Sequence, residues 1–172
     1  EDMRWMLALT APRLKRRLET TDRKIGLDEE TYARCNAVIE RALRDGAQLT
    51  RQELAAALRQ GGIEPGSVQR LAHIVIRAEQ EGILCSGAKR GKQMTYARLD
   101  DRVKTSRQLS GDEALAELAW RYFRSHGPAT LADFGWWAWL PVAEARRGLE
   151  LVQARLKSAD LDGKTCWYVE EA

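Results

Sequence analysis

Two short boxes, Thr50-Arg51-Gln52-Glu53 and Thr130-Leu131-Ala132-Asp133, constrain the fold more than any other feature of the chain. A threonine followed three residues later by an acid closes a helix N-terminus from both sides. The hydroxyl accepts from one free amide, and the carboxylate reaches back to the amide of the threonine itself. Each box comes shortly after a chain stop, Gly46 in one case and Gly127-Pro128 in the other, and each runs into apolar residues. Proline lacks an N–H and pushes the residue before it to extended backbone, so the stop at Gly127-Pro128 is firm. Both boxes therefore open the second helix of a unit whose first helix has just ended, and the chain is expected to hold two units of one architecture.

The first unit is expected over residues 28–99. Asp28-Glu29-Glu30 places acids in a first helical turn, where the macrodipole favours them, and Tyr32, Cys35, Val38, Ile39 and Leu43 follow at helical spacing. The boxed helix carries Leu54, Ala55 and Leu58 to Gly61-Gly62, and a third helix starts near Pro65 or Ser67 and runs to Gly82. Two extended stretches, Ile83–Cys85 and Gln93–Arg98, flank a polar tip, which is a hairpin. The same order recurs over residues 111–172. Its first helix starts at Asp112, the boxed helix follows at Thr130, a third begins at Pro141, and a hairpin turns at Asp162-Gly163. Three short amphipathic helices closed by a hairpin make a winged helix. The expected fold class is mainly α with small β-hairpins, as tandem winged-helix (helix-turn-helix) domains.

The flanking stretches are less defined. Residues 1–10 have a helical pattern that Pro12 interrupts or restarts, 13–18 form a basic amphipathic segment, and 19–27 are a polar connection. Residues 1–27 are thus expected to be the helical tail of a preceding unit plus a linker, and 100–110 a second linker. The chain begins at Glu1 without an initiator methionine, which suggests an excerpt from a longer protein.

Composition narrows the chemistry. Cys35, Cys85 and Cys166 are odd in number and widely spaced, and there are only two histidines to assist them, so neither a zinc site nor a disulfide framework is expected. No metal or cofactor is called for. No apolar run reaches the length that crosses a bilayer and no signal-peptide pattern opens the chain, which points to a cytoplasmic protein away from membranes. A monomer is expected. Charge is uneven: residues 29–110 hold fourteen basic and ten acidic side chains, residues 111–172 seven and ten. An anionic polymer should therefore meet the earlier unit.

Winged helices commonly place the third helix in the DNA major groove and the wing along the backbone. The candidate DNA-binding residues are Arg70, His73 and Arg77 on the third helix, with Lys89, Arg90 and Lys92 on the wing; no acid interrupts residues 83–98. The wing reads either as a phosphate contact or as a solvated loop. His73 reads as a packed or surface histidine, because no nucleophile or acid partner is placed beside it in sequence. No residue is assigned a catalytic role. Trp136, Trp137 and Trp139 can stack on unpaired bases, but so many large rings on one helix are expected to be core or interface packing.

The run His126-Gly127-Pro128-Ala129-Thr130-Leu131-Ala132-Asp133-Phe134-Gly135-Trp136-Trp137, with Glu81–Cys85 and Arg90–Tyr96, resembles the AlkZ-type (YcaQ-like) bacterial DNA glycosylases. The resemblance covers nearly the whole chain. It implies a DNA-repair hydrolase that cleaves the N-glycosidic bond of alkylated purines, including crosslinked ones, on damaged double-stranded DNA and without a metal. It also implies a Gln-x-Gln or Gln-x-Asp motif that positions water, and a β-barrel after the winged helices. No glutamine of this sequence stands in either motif. The alternative is a non-enzymatic winged-helix DNA-binding protein of the transcription-regulator kind.

Overall fold

The computed structural model describes residues 2–170. Helices dominate, with two small antiparallel sheets, and the chain divides into two compact units. Residues 14–106 form unit 1. Residues 2–13 join the chain from Arg107 onward to form unit 2.

The first element, α1 (Met3–Lys24), corrects the expectation of a break at Pro12 and of a polar connection from residue 19. Proline removes one hydrogen bond from a helix interior, a loss of a few kcal/mol that packing on both sides can outweigh. On its N-terminal side Trp5 and Ala11 are buried in unit 2, where Asp2 accepts from the Trp5 indole at 3.0 Å. On its C-terminal side, Asp22 is buried in unit 1.

Unit 1 continues with α2 (Glu29–Ala42), β1 (Gln48–Thr50), α3 (Arg51–Gln60), α4 (Val68–Gln80), β2 (Leu84–Ser86), β3 (Thr95–Arg98) and one helical turn, α5 (Leu99–Arg102). Asp28 caps α2 by accepting from Thr31 N at 2.7 Å. Ser67 caps α4 in the same way through Arg70 N at 3.1 Å. The Thr50 box forms as expected: Glu53 N donates to Thr50 Oγ1 at 3.2 Å and Thr50 N donates to Glu53 Oε2 at 2.7 Å. Tyr32, Cys35 and Ile39 bring one face of α2 onto Leu54 and Leu58 of α3 and Ile74 of α4, all essentially closed to solvent. Each such aliphatic side chain contributes roughly 1.5–3 kcal/mol by leaving water.

The expected hairpin is present, and a third strand adds to it. β1 pairs with β3 opposite β2, in the register Leu49↔Tyr96, so the sheet order is β1-β3-β2. Sheet and three helices make up the winged-helix unit.

Unit 2 contains α6 (Gly111–His126), α7 (Leu131–Ala138), α8 (Val142–Val152), β4 (Lys157–Leu161) and β5 (Lys164–Tyr168). Thr130 and Asp133 form the second capping box, with Asp133 N to Thr130 Oγ1 at 3.1 Å and Thr130 N to Asp133 Oδ2 at 2.9 Å. Just ahead of it Ala129 pairs with Trp167 of β5, the place that β1 takes relative to Thr50 in unit 1. Gly127 is required there. A Cβ on it would lie 2.5 Å from the Phe123 carbonyl oxygen and 2.8 Å from the Tyr168 Cα. The Asp162-Gly163 turn has φ of +53° and +73°, the left-handed pair that a two-residue hairpin loop demands.

The core of unit 2 gathers Trp5, Leu118, Phe123, Phe134, Leu149 and Val152. It does not gather the tryptophans of α7, which corrects the core half of the expected core or interface packing. The helix has only eight residues, and Phe134 and Ala138, four apart, use up its inward face. Trp136 and Trp137 therefore point elsewhere, and Trp139 leaves the helix in left-handed conformation at φ +57°. Their exposures are 81%, 39% and 45%.

Candidate nucleic-acid interface

The wing of unit 1 is the chain between β2 and β3. Its tip closes through Arg90 and Gln93, whose amides and carbonyls pair at 2.9 and 3.1 Å around Gly91-Lys92. Its base is drawn tightly onto β3 and β1: Gly87 N donates to the Thr95 carbonyl at 2.8 Å and Ala88 N to Gln48 Oε1 at 2.7 Å. A side chain at Gly87 would collide with Thr95 Oγ1 at 2.5 Å and Gln48 Oε1 at 2.8 Å, so only glycine lets the wing sit this close.

The three wing cations are not equivalent. Arg90 turns back on the unit and pairs with Glu53 at 2.7 Å and with the Gln48 carbonyl. Glu53 thus completes the α3 cap and clamps the wing at once. Lys89 and Lys92 are exposed and make no ion pair among the described residues. Beside them lies a groove of about 370 Å³ lined by Thr50, Arg51, Gln52, Gln93, Met94 and Tyr96. Arg51 donates to the Tyr96 hydroxyl at 3.1 Å, which fixes a cation in the first turn of α3. Cations, amide side chains and a helix N-terminus meet here on one surface, a combination that suits a sugar-phosphate backbone. Arg51, Gln52 and Gln93 were not singled out in sequence; the pointer to Arg51 was its place directly after a helix cap.

The Thr50 amide, followed by Arg90, holds the Glu53 carboxyl below its ordinary 4.5. A depressed carboxylate contributes stability above its unfolded value and loses it as pH falls through the folded one. Acidification from pH 5 downward is therefore expected to release both cap and wing. Amide shifts of residues 87–94 followed by NMR should move together with the Glu53 titration, and E53Q should abolish that coupled step.

The α4 candidates are engaged within unit 1. Arg70 donates to the Ile25, Glu64 and Gly26 carbonyls, at 3.1, 2.5 and 3.4 Å. His73 Nδ1 lies 2.6 Å from Asp22 Oδ1, both side chains nearly closed off. Arg77 is buried: it pairs with Glu29 at 2.8 Å, lies 3.8 Å from Asp22, and stacks its guanidinium 4.1 Å from the Tyr32 ring centre. Burial, reinforced by a hydrogen bond to Asp22, pushes the Tyr32 phenol well above its ordinary value. Glu81 extends the network to Lys15 and Asn36, at 3.0 and 2.7 Å. The structure brings Arg70, His73 and Arg77 together, but against α1, α2 and the loops beside α4. The open face of α4 carries Val68 and Gln69 instead.

Comparison with known proteins gives this geometry a context. A family model described as DNA glycosylase AlkZ-like matches residues 1–172. The chain belongs to the AlkZ-like DNA glycosylase family. No curated protein matches it. Among solved structures, the Streptomyces sahachiroi DNA glycosylase AlkZ aligns with a TM-score of 0.73 and 21% identity, over 95% of this chain and 46% of that one. The AlkZ-like chain therefore spans about half the length of that relative and shares its fold. Among the described residues, no three His, Cys, Asp or Glu side chains are grouped to hold a metal ion, and no helix is long and apolar enough to cross a membrane. Cys35 and Cys166 are buried, Cys85 partly so, and burial raises the thiols of Cys35 and Cys85.

Proposed function

We propose that this AlkZ-like chain is a DNA-binding part of a repair glycosylase that excises alkylated or crosslinked purines, and that unit 1 meets duplex DNA with its wing and the first turn of α3. The observation that carries this reading is the wing surface, where exposed Lys89 and Lys92 adjoin the Arg51, Gln52 and Gln93 groove. Lysines reach phosphates as point charges, and glutamines offer both donor and acceptor to sugar or base edges. Arg90 supports the contact from behind, by fixing the wing to Glu53. Arg70, His73 and Arg77 act indirectly, by holding α4 in place.

The excision chemistry is tested on the gene product that contains these residues, incubated with duplex DNA bearing an N7-alkylated guanine. Abasic product is the expected outcome. Tight duplex binding without abasic product would instead support a non-enzymatic DNA-binding protein.

A further inference from the structure

We infer that unit 2 carries a second nucleic-acid site, in which Trp136 stacks on an unpaired base while Arg13 takes a neighbouring phosphate. The inference rests on the glycosylase reading above. Trp136 is 81% exposed, the most exposed of the large apolar side chains, and makes no ring contact among the described residues. Trp137, by contrast, is held by Tyr122 and His126, at 5.1 and 5.4 Å between ring centres. An indole face left in water at the mouth of a groove is a place where a partner ring gains most.

The groove measures about 330 Å³, within the range of small-ligand clefts, and is lined by Arg13, Leu131, Gly135, Trp136, Leu140 and Val142, among others. Arg13 is its one ionic lining group among the described residues; the side chain as a whole is half-buried and can turn toward the groove, while its Nη1 lies covered with no hydrogen-bond partner. Buried guanidinium donors are ordinarily satisfied, so an orphaned one in a ligand-sized groove calls for an acceptor. A phosphate oxygen supplies it. Arg146, exposed and one helical turn beyond Val142 on α8, adds a second cation on that side, and among the described residues no carboxylate lines the groove.

The remaining walls are apolar and offer nothing to the edge of a base. Stacking needs nothing there, since every base has a π-face whatever its edge carries. A glycosylase has use for such a platform, because taking the target base out of the helix leaves unpaired nucleotides behind. An acidic and apolar protein surface would meet similar chemistry. The nucleotide is favoured by the family and by the pairing of one planar ring with one unmatched cation.

The test compares the 172-residue chain with W136A, W136F and R13A on a fully paired duplex and on the same duplex interrupted by unpaired thymidines, by fluorescence anisotropy. W136A is expected to weaken binding to the interrupted duplex by about 5- to 100-fold, with the paired duplex unaffected. W136F, which keeps a ring, should recover part of the loss. R13A should lower the salt slope on the interrupted duplex by about 0.7. Trp136 is solvent-exposed, so its loss leaves the fold intact. Wild-type affinity in W136A overturns the inference, as does loss of self-association in sedimentation with DNA affinity unchanged, which assigns the face to a protein. Wild-type chain that binds the paired duplex yet gains nothing from the unpaired thymidines overturns the inference alone. Chain that binds neither overturns the duplex-binding reading with it.

Discussion

Replacing Asp22 with alanine is expected to destabilise unit 1 by roughly 3–5 kcal/mol, the cost of breaking a buried ionic network by removing one partner. Asp22 is 3% exposed and accepts from His73 and Tyr32 while facing Arg77. Without it, the Arg77 guanidinium keeps Glu29 and Glu81 but loses its most buried counter-charge. His73 and Tyr32 are left with polar atoms and no partner, each of which adds to the penalty. Since a small domain is stable by only about 5–15 kcal/mol in total, the loss is a large fraction of what unit 1 has. The measurement is urea unfolding, with exchange of α4 amides as the local readout. The midpoint should fall with the slope unchanged. D22N, which keeps an acceptor, should lose less. A loss below about 1 kcal/mol would mean that the network is dispensable, and would return His73 and Arg77 to candidacy as surface contacts.

What sequence could and could not reveal divides along physical lines. The capping boxes, the Asp162-Gly163 turn and the helix stops at glycine are local devices, written in three or four adjacent residues, and they are found where expected. β1 was not legible: three residues are too few for any periodicity, and the strand exists because β3 offers it an edge. Pro12 misled because a rule about the isolated helix was outweighed by packing around Trp5 and Asp22. For the tryptophans, composition pointed to the core as one of two places, and the core does not hold them. Their hydrophobicity says that they want burial, yet eight residues of helix supply one inward face, and Phe134 already holds it.

The α4 stripe was legible as a face, but its partners were not. Arg70, His73 and Arg77 share a face at helical spacing, and spacing alone does not say what that face meets. For His73 and Arg77 the missing information lay in two acids, Asp22 near the end of α1 and Glu29 at the start of α2; for Arg70 it lay in the carbonyls of Ile25, Gly26 and Glu64. On the wing, the cation cluster was legible, whereas the division of labour within it was not. Arg90 is spent on Glu53, which already belonged to the cap, while Lys89 and Lys92 remain outward.

The second large effect concerns those two lysines. With Arg51, they supply the charge at the wing surface, so the triple variant K89A/R51A/K92A should bind a paired duplex far more weakly at low salt than the wild type. All three side chains are exposed, and Arg51 gives up its bond to Tyr96 and its attraction to Glu79, so the fold should persist. The loss should be nearly uniform across DNA sequences, because phosphate contacts carry no sequence information. R70A and H73A, in contrast, should change unfolding and leave the salt dependence of binding as it is.

The most direct test is therefore the slope of log affinity against log salt for K89A/K92A on a paired duplex. Every phosphate that the protein ceases to neutralise reduces the magnitude of that slope by about 0.9, so the double variant should fall short of the wild type by about 1.8. A slope equal to the wild type's would contradict the placement of duplex DNA on the wing.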